Sequence, residues 1–202
     1  MIRWTMQIAA LPDEDPFEPI RGQFPQVLAA ARAGGEWAWR QIYREIAPAL
    51  ARYLRARGVP DAEDIVGETF VRMVQHVHRF EGDADALRTW AFTIARNLVV
   101  DAVRRRRRRP VDAVPDERLR ALGPVGDVQA EAVAGLEEDH IRVVLGALSP
   151  DQRDVLLLRI LGGLTIAEIA TVLGKREGAV KMLQARGLEA LRKKISTGAV
   201  TL

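Results

Sequence analysis

Asp64 and Glu68 stand four residues apart in "DAEDIVGETFVRMVQHVHRF", a spacing that stacks both carboxylates on one face of a helix. Such a pair can serve as general acid and base, hold a cation, rest in solvent, or dock a basic partner helix. Catalysis is the weakest of these readings, because nothing nearby supplies a nucleophile, a phosphate-binding loop or further ligands. His76 and His78 are two apart and point in different directions on a helix, so they do not share a metal easily, and His140 stands alone. No metal cluster and no cofactor are implied, and the chain is not expected to be an enzyme.

The basic residues suggest a different chemistry. Arg104 to Arg109 form an unbroken run, and a run of this kind at a helix end points to a polyanion more than to idle surface. The helix leading into it places Thr89, Thr93, Arg96, Asn97 and Arg104 along a polar stripe, opposite Ala91, Ile94, Ala95 and Leu98. A stripe of this sort can lie along a nucleic-acid backbone, and the loop "EGDAD" beside it can accept an unstacked base. Trp90 and Phe92 read as core.

The segment "LTIAEIATVLGKREGAVKMLQARGLEALRKKI", from Leu164 to Ile195, holds two helical patterns broken at Gly174. Thr165 and Glu168 form a capping box at the first helix, as Ser149 and Gln152 do one helix earlier around Pro150. The first helix is expected to bury Ile166, Ile169, Ala170 and Leu173, and the second Val180, Leu183, Leu188 and Leu191. Small residues at the contact (Ala167, Ala170, Ala179) permit close packing. Lys175, Arg176, Lys181, Arg186, Arg192, Lys193 and Lys194 supply an outward charge. This is the pattern of a helix-turn-helix whose second helix enters a major groove, although an ordinary helical hairpin with a solvated basic face has the same outline.

These candidate surfaces must be carried by helices. The apolar residues recur at helical spacing and do not alternate as in a strand, so the fold class is all-α. Residues 1–20 form a tail rich in proline and carboxylates, residues 21–109 a first helical domain, 110–128 a flexible linker rich in Pro, Gly and Asp, and 129–202 a second helical domain. The first domain reads as three helices in "FPQVLAAARAG", "EWAWRQIYREIAPALARYLRARG" and "DAEDIVGETFVRMVQHVHRF", with a fourth starting near Ala86. In the third, Val66, Phe70, Met73, Val74 and Val77 share the apolar stripe. With 48% apolar residues the 202-residue chain has ample material for cores; its net charge of +3 hides local concentrations of both signs. The absence of cysteine fits a reducing cytoplasm, and the N-terminal stretch resembles neither a signal peptide nor a membrane span.

In this order the blocks resemble a bacterial RNA polymerase sigma factor, specifically the small two-domain extracytoplasmic-function (ECF) type of the sigma-70 family. "DAEDIVGETFVRM" resembles the core-binding helix of region two, "FEGDADALRTWAFTIARNLVVDAVRRRR" its promoter-melting loop and minus-ten-reading helix, and "LSPDQRDVLLLRILGGLTIAEIATVLGKREGAVKMLQARGLEALRKK" region four. The resemblance implies a cytoplasmic transcription initiation factor that binds RNA polymerase core, directs it to promoters and helps melt the minus-ten region. By position it implies that Asp64, Glu68 and Arg72 meet basic helices of the polymerase's largest subunit. Glu81, Gly82, Asp83, Arg88, Arg96, Asn97, Arg104 and Arg105 would then bind minus-ten DNA. Lys181, Met182, Ala185 and Arg186 would face minus-thirty-five bases, with Lys175 and Arg176 on phosphates. Promoter DNA, polymerase core and an anti-sigma factor are the implied partners. The sequence departs from the family pattern at Gly67, where glutamine is usual, at Arg176, where serine is usual, and at Leu183, where arginine is common.

Two other classes remain open on residues alone: a stand-alone helix-turn-helix regulator, which needs no acidic docking face, and an enzyme acting on nucleic acid, which needs a convergent titratable cluster.

Overall fold

The computed structural model describes residues 20–108 and 146–196. The expected tail apart from Ile20, Arg109, the linker at 110–128, residues 129–145 with His140, and residues 197–202 lie outside the described residues, as do the side chains of 106–108 and 195–196. Every regular element among the described residues is helical. None of the described helices is long and apolar enough to cross a membrane.

A 3-10 turn at Ile20–Gln23 leads into α1 (Phe24–Arg32), with Pro25 in the first turn, where its missing N–H costs no helical bond. The chain reverses at Gly34–Gly35. A Cβ on Gly35 would meet the Ala30 carbonyl oxygen at 2.9 Å, so α1 and α2 (Glu36–Ala56) join this closely only through glycine. From α2, Trp39, Ile42, Ile46, Leu50, Tyr53 and Leu54 point into the core, spaced three and four apart as one helical face demands.

Helix α3 spans Ala62–His76 and passes into a 3-10 turn at Val77–Arg79. Its apolar stripe holds Val66, Phe70, Met73 and Val77, but Val74, expected on the same stripe, is 45% exposed. At about 100° per residue it stands roughly 80° round the helix from Val66, at the margin of the stripe that Met73 and Val77 centre. Helix α4 (Ala84–Arg108) starts two residues before the expected Ala86, because the Asp83 carboxylate accepts the Ala86 N–H at 2.8 Å and caps the first turn.

The second segment forms α5 (Pro150–Ile160), α6 (Ile166–Leu173) and α7 (Glu177–Ser196). Both expected capping boxes are present, Ser149 with Gln152 and Thr165 with Glu168. Ile169, Ala170, Val172 and Leu173 are buried from α6, while Ile166 is half-buried and Ala167 and Ala179 are exposed. On α7 only Val180 is fully buried among the four expected positions; Leu183 and Leu191 are half-buried and Leu188 is exposed. Gly187 takes the packing position instead: a Cβ there would stand 3.0 Å from Leu156, so α7 approaches α5 backbone-first and turns Leu188 aside.

The two helical units are present, yet they do not stand apart. Helix α6 packs along α4, α5 reaches α2, and one continuous hydrophobic core runs from Ile20 to Val180.

Candidate functional surfaces

The acidic pair lies where its spacing places it. Asp64 and Glu68 are both exposed on α3, on the side away from Val66, Phe70 and Met73. Glu68 accepts a hydrogen bond from Arg72 Nε at 3.0 Å. An exposed i,i+4 pair contributes only ~0.3–0.5 kcal/mol, so Arg72 orients Glu68 more than it holds the helix. Glu63 next to them turns to α2, where a hydrogen bond from Arg55 is the main cause of a carboxyl held below its usual range. Glu63 was missed from sequence, although a carboxylate in the first turn of a helix is the signal that marks it.

Beside the end of α3, Phe80 and Trp90 stack with ring centroids 5.3 Å apart. Gly82 has φ of 145°, and a Cβ there would lie 2.7 Å from Ala86, so the loop needs glycine at this point. The loop and α4 enclose an open groove of about 850 Å³, lined by Phe80, Glu81, Asp83, Thr89, Trp90 and Thr93. The opposite wall is Glu168 and Thr171 of α6.

The polar stripe of α4 divides. Glu81, Gly82, Asp83, Asn97, Arg104 and Arg105 are exposed, with Arg104 3.9 Å from Asp101. Thr89 is 7% exposed and its Oγ is buried without a hydrogen-bond partner. Arg96, expected on that stripe, and Arg88, assigned to minus-ten DNA by the resemblance alone, turn toward the second unit. Arg88 donates to the Gly162 carbonyl at 3.1 Å and to the Glu45 carbonyl at 3.5 Å. Arg96 is half-buried with Nε shielded, and its charge acts on Asp154. The α5–α6 connection covers that flank.

Two residues that the sequence reading passed over hold this contact. Asp154, buried in the apolar run "DVLLL" of α5, pairs with Arg57 at 3.1 Å, and their side chains are only 5% and 18% exposed. Burial raises the Asp154 carboxyl, with Arg57 and then Arg96 opposing the rise. Arg57 also donates to Tyr53 Oη at 3.0 Å, and the Tyr53 ring meets Phe92 edge-on at 5.6 Å. The sequence signal for Asp154 is its place one turn before Leu157 and Leu158, which puts a carboxylate on the buried face of α5.

Tyr53 yields a pH expectation. Burial pushes its phenol up to about 12 from 10.0. A group raised on folding adds stability that is complete below its unfolded pKa and is lost as pH climbs through the folded value. Alkaline titration of tyrosinate absorbance should therefore show Tyr53 ionising near pH 12, together with loss of helical signal. Tyr53→Phe should remove that step. A Tyr53 that titrates as a free phenol while the helices persist would contradict the burial.

In the helix-turn-helix, Gly174 ends α6 at φ 62°, and the Lys175 N–H closes onto the Ala170 carbonyl at 2.9 Å. Lys181, Met182, Ala185 and Arg186 share one exposed face of α7, with Met182 54% exposed. Lys175 bridges to Asp151 at 2.9 Å, while Arg176 is exposed. Leu183 is half-buried against the core, so the position is used for packing. Gly174→Ala forces a side chain into left-handed backbone and should cost about 1–2 kcal/mol, lowering Tm by roughly 2–8 °C. Thermal unfolding followed by circular dichroism checks this, and an unchanged Tm would mean the turn relaxes.

Comparison with known proteins matches the two units separately. A family model described as Sigma-70 region 2 matches residues 38–109, and one described as Sigma-70, region 4 matches residues 139–191. The chain is 35% identical over 167 residues to the ECF RNA polymerase sigma factor SigL of Mycobacterium tuberculosis, covering 82% of this chain and 93% of that one. It is 32% identical over 168 residues to the ECF RNA polymerase sigma factor BldN of Streptomyces coelicolor, covering 82% of this chain and 63% of BldN. Among solved structures, CnrH in complex with the cytosolic domain of CnrY has a TM-score of 0.62 at 24% identity, covering 85% of this chain and 96% of that chain. The sigma factor RpoE of Bartonella quintana, in complex with the anti-sigma factor NepR, has a TM-score of 0.52 at 23% identity, covering 88% and 96%. Both share the fold.

Proposed function

The chain belongs to the sigma-70 family of RNA polymerase sigma factors, and from that premise we propose how its surfaces divide the work of a transcription initiation factor. The protein directs RNA polymerase to promoters. The ridge of Asp64 and Glu68, with Arg72 setting the Glu68 carboxylate, docks on basic helices of the polymerase core. Carboxylates on a rigid helix complement such a surface without reorganisation, which favours specificity and on-rate.

The groove between the loop and α4 takes a minus-ten base swung out of the stack. Extruding a base costs a few kcal/mol, and stacking on an aromatic wall returns ~1–3 kcal/mol per base, so strand opening needs no fuel and no catalytic group. Glu81, Gly82 and Asp83 shape the mouth. Arg88, Arg96, Asn97, Arg104 and Arg105 follow the separated strand. On α7, Lys181, Met182, Ala185 and Arg186 read minus-thirty-five bases in the major groove, with Lys175 and Arg176 on flanking phosphates. A protein that works on polymerase in this way acts in the bacterial cytoplasm, and an anti-sigma factor, of the kind RpoE carries in its complex, is its regulator.

One observation supports this reading above the alternatives: an exposed acidic ridge on one unit and a twice-capped helix-turn-helix with an exposed basic reading face on the other occur in a single chain. A stand-alone regulator has no use for the ridge. The test is promoter-specific transcription by bacterial core polymerase with and without the purified protein. Initiation at defined start sites only when the protein is added supports the reading; failure to bind core or to start transcription overturns it.

A further inference from the structure

If the sigma reading above holds, the loop of Glu81, Gly82 and Asp83 has to be in shape before a base reaches it. Every residue ordered during capture takes its entropy out of the free energy that offsets the lost pairing. One end of the loop is fixed locally, where the Asp83 carboxylate accepts the Ala86 N–H at 2.8 Å. The other end is held from 48 residues away. Arg32, the last residue of α1, donates through Nη2 to the Phe80 carbonyl at 2.5 Å, and its Nε approaches the Val77 carbonyl at 3.5 Å. These carbonyls belong to the 3-10 turn after α3. There the Phe80 N–H meets the Val77 carbonyl at 3.1 Å, and the chain then extends, with Phe80 at φ −72° and ψ 132°. The C-terminal end of a helix carries partial negative charge, so a guanidinium is the complementary group, and its planar fork suits two carbonyls at once.

We infer that Arg32 is a positioning residue for strand opening: by holding the Phe80 carbonyl it sets the direction in which the chain leaves α3, and with it the loop that shapes the base groove. Only Glu81 separates that carbonyl from Gly82, whose φ of 145° turns the loop. The Phe80 ring stacks on Trp90 with centroids 5.3 Å apart, so one anchor governs the aromatic wall and the mouth together. The foundation of Arg32 is itself rigid. The Trp39 indole, 2% exposed, donates to the Ala31 carbonyl at 3.1 Å, and the Gly34 N–H reaches the same oxygen at 3.1 Å. In this role Arg32 acts through Phe80 and needs no contact with DNA. It also stands outside residues 38–109, the stretch that the region 2 family model matches.

Hydrogen exchange of the free protein tests the anchor apart from polymerase and promoter. Arg32→Ala should speed exchange of the Phe80 amide about tenfold, the size expected when a charge-assisted hydrogen bond is lost, while the Met73 amide within α3 keeps its protection. Function is read with polymerase core and a promoter carrying a fluorescent adenine analogue in the minus-ten element. The variant should capture core and occupy promoter duplex as wild type does, but its opening rate should fall about tenfold. At saturating holoenzyme, on a template whose minus-ten bases are already unpaired, variant and wild type should start transcripts alike, which a general loss of structure would not allow. Arg32→Lys keeps the charge without the fork and should fall between the two. Should Arg32→Ala fail to fold, the lysine variant decides the matter by the same readings. Unchanged Phe80 exchange, opening at the wild-type rate, equal slowing on both templates, or unfolding of both variants would each overturn the proposal. If wild type itself does not initiate, the sigma reading falls, and the exchange result still decides whether Arg32 anchors the loop.

Discussion

Reversing both carboxylates of the α3 ridge, Asp64→Arg with Glu68→Arg, should abolish capture of RNA polymerase core and leave the protein folded. Both side chains are exposed, and exposed substitutions away from special features usually change stability by less than ~0.5 kcal/mol. The largest local cost is at Arg72, which loses its Glu68 partner and gains a like charge one turn away, again ~0.5 kcal/mol. At a polymerase surface complementary to the ridge the effect is of another order. Each reversal replaces an attraction with a like-charge juxtaposition, and together about 2–5 kcal/mol should be lost, or roughly 30- to 5,000-fold in affinity. Pull-down of core by wild type and variant, with helical content and Tm measured on both, reads the outcome. Glu36→Arg, a single exposed reversal on α2, is the control that should still capture core. Equal capture by the double variant would remove α3 from the docking surface. Loss of capture together with loss of helical signal would place the carboxylates in folding instead.

What sequence made legible in this protein was local. Ser149 with Gln152 and Thr165 with Glu168 are short-range devices whose partners lie three residues apart, and both caps form as expected. Gly174 is legible for the same reason, since a left-handed turn needs only its own residue. The Asp64 and Glu68 ridge follows from helical period alone. What escaped was set by distant elements. Arg96 looks outward on a helical wheel, and a second unit folded back onto α4 turns it inward, whereas Arg88 shares the face of Ala91, Phe92 and Ala95 and is assigned to DNA by resemblance alone. The hint was in α4 itself: Leu87, Ala91, Phe92, Ala95, Leu98 and Val99 spread over more than one face, which is the mark of a helix packed on two sides. Gly187 illustrates the converse error. A leucine at 188 was expected to pack, yet a close backbone approach to Leu156 at 187 replaces side-chain burial. Asp61, a non-glycine residue at φ 57°, has no local signal beyond the tolerance of aspartate for left-handed backbone.

Promoter recognition should be most sensitive at the α7 face, and its residues should not contribute equally. Arg186→Ala removes an exposed guanidinium of the kind that forms two hydrogen bonds with a guanine edge, and about 1–3 kcal/mol, or ~5- to 150-fold, should be lost. The loss should be selective: a minus-thirty-five element altered at the contacted base should bind wild type and variant alike. Lys181→Ala should combine with it to give at least as large a loss. Arg176, exposed just before α7, is expected to contact phosphate, so Arg176→Ala should weaken all sequences uniformly and reduce the slope of log affinity against log salt by about one. Lys175 differs because Asp151 already holds it at 2.9 Å. Binding a phosphate means sharing or breaking that bridge, and the Asp151 carboxylate repels the backbone while it lasts. Lys175→Ala should therefore cost less than Arg176→Ala, and Asp151→Asn should tighten DNA binding by freeing the lysine and removing the repulsion. Holoenzyme binding to promoter duplex at several salt concentrations separates these cases. If Asp151→Asn weakens binding, the bridge is orienting Lys175 for its phosphate, and the charge argument for this corner of the helix-turn-helix fails.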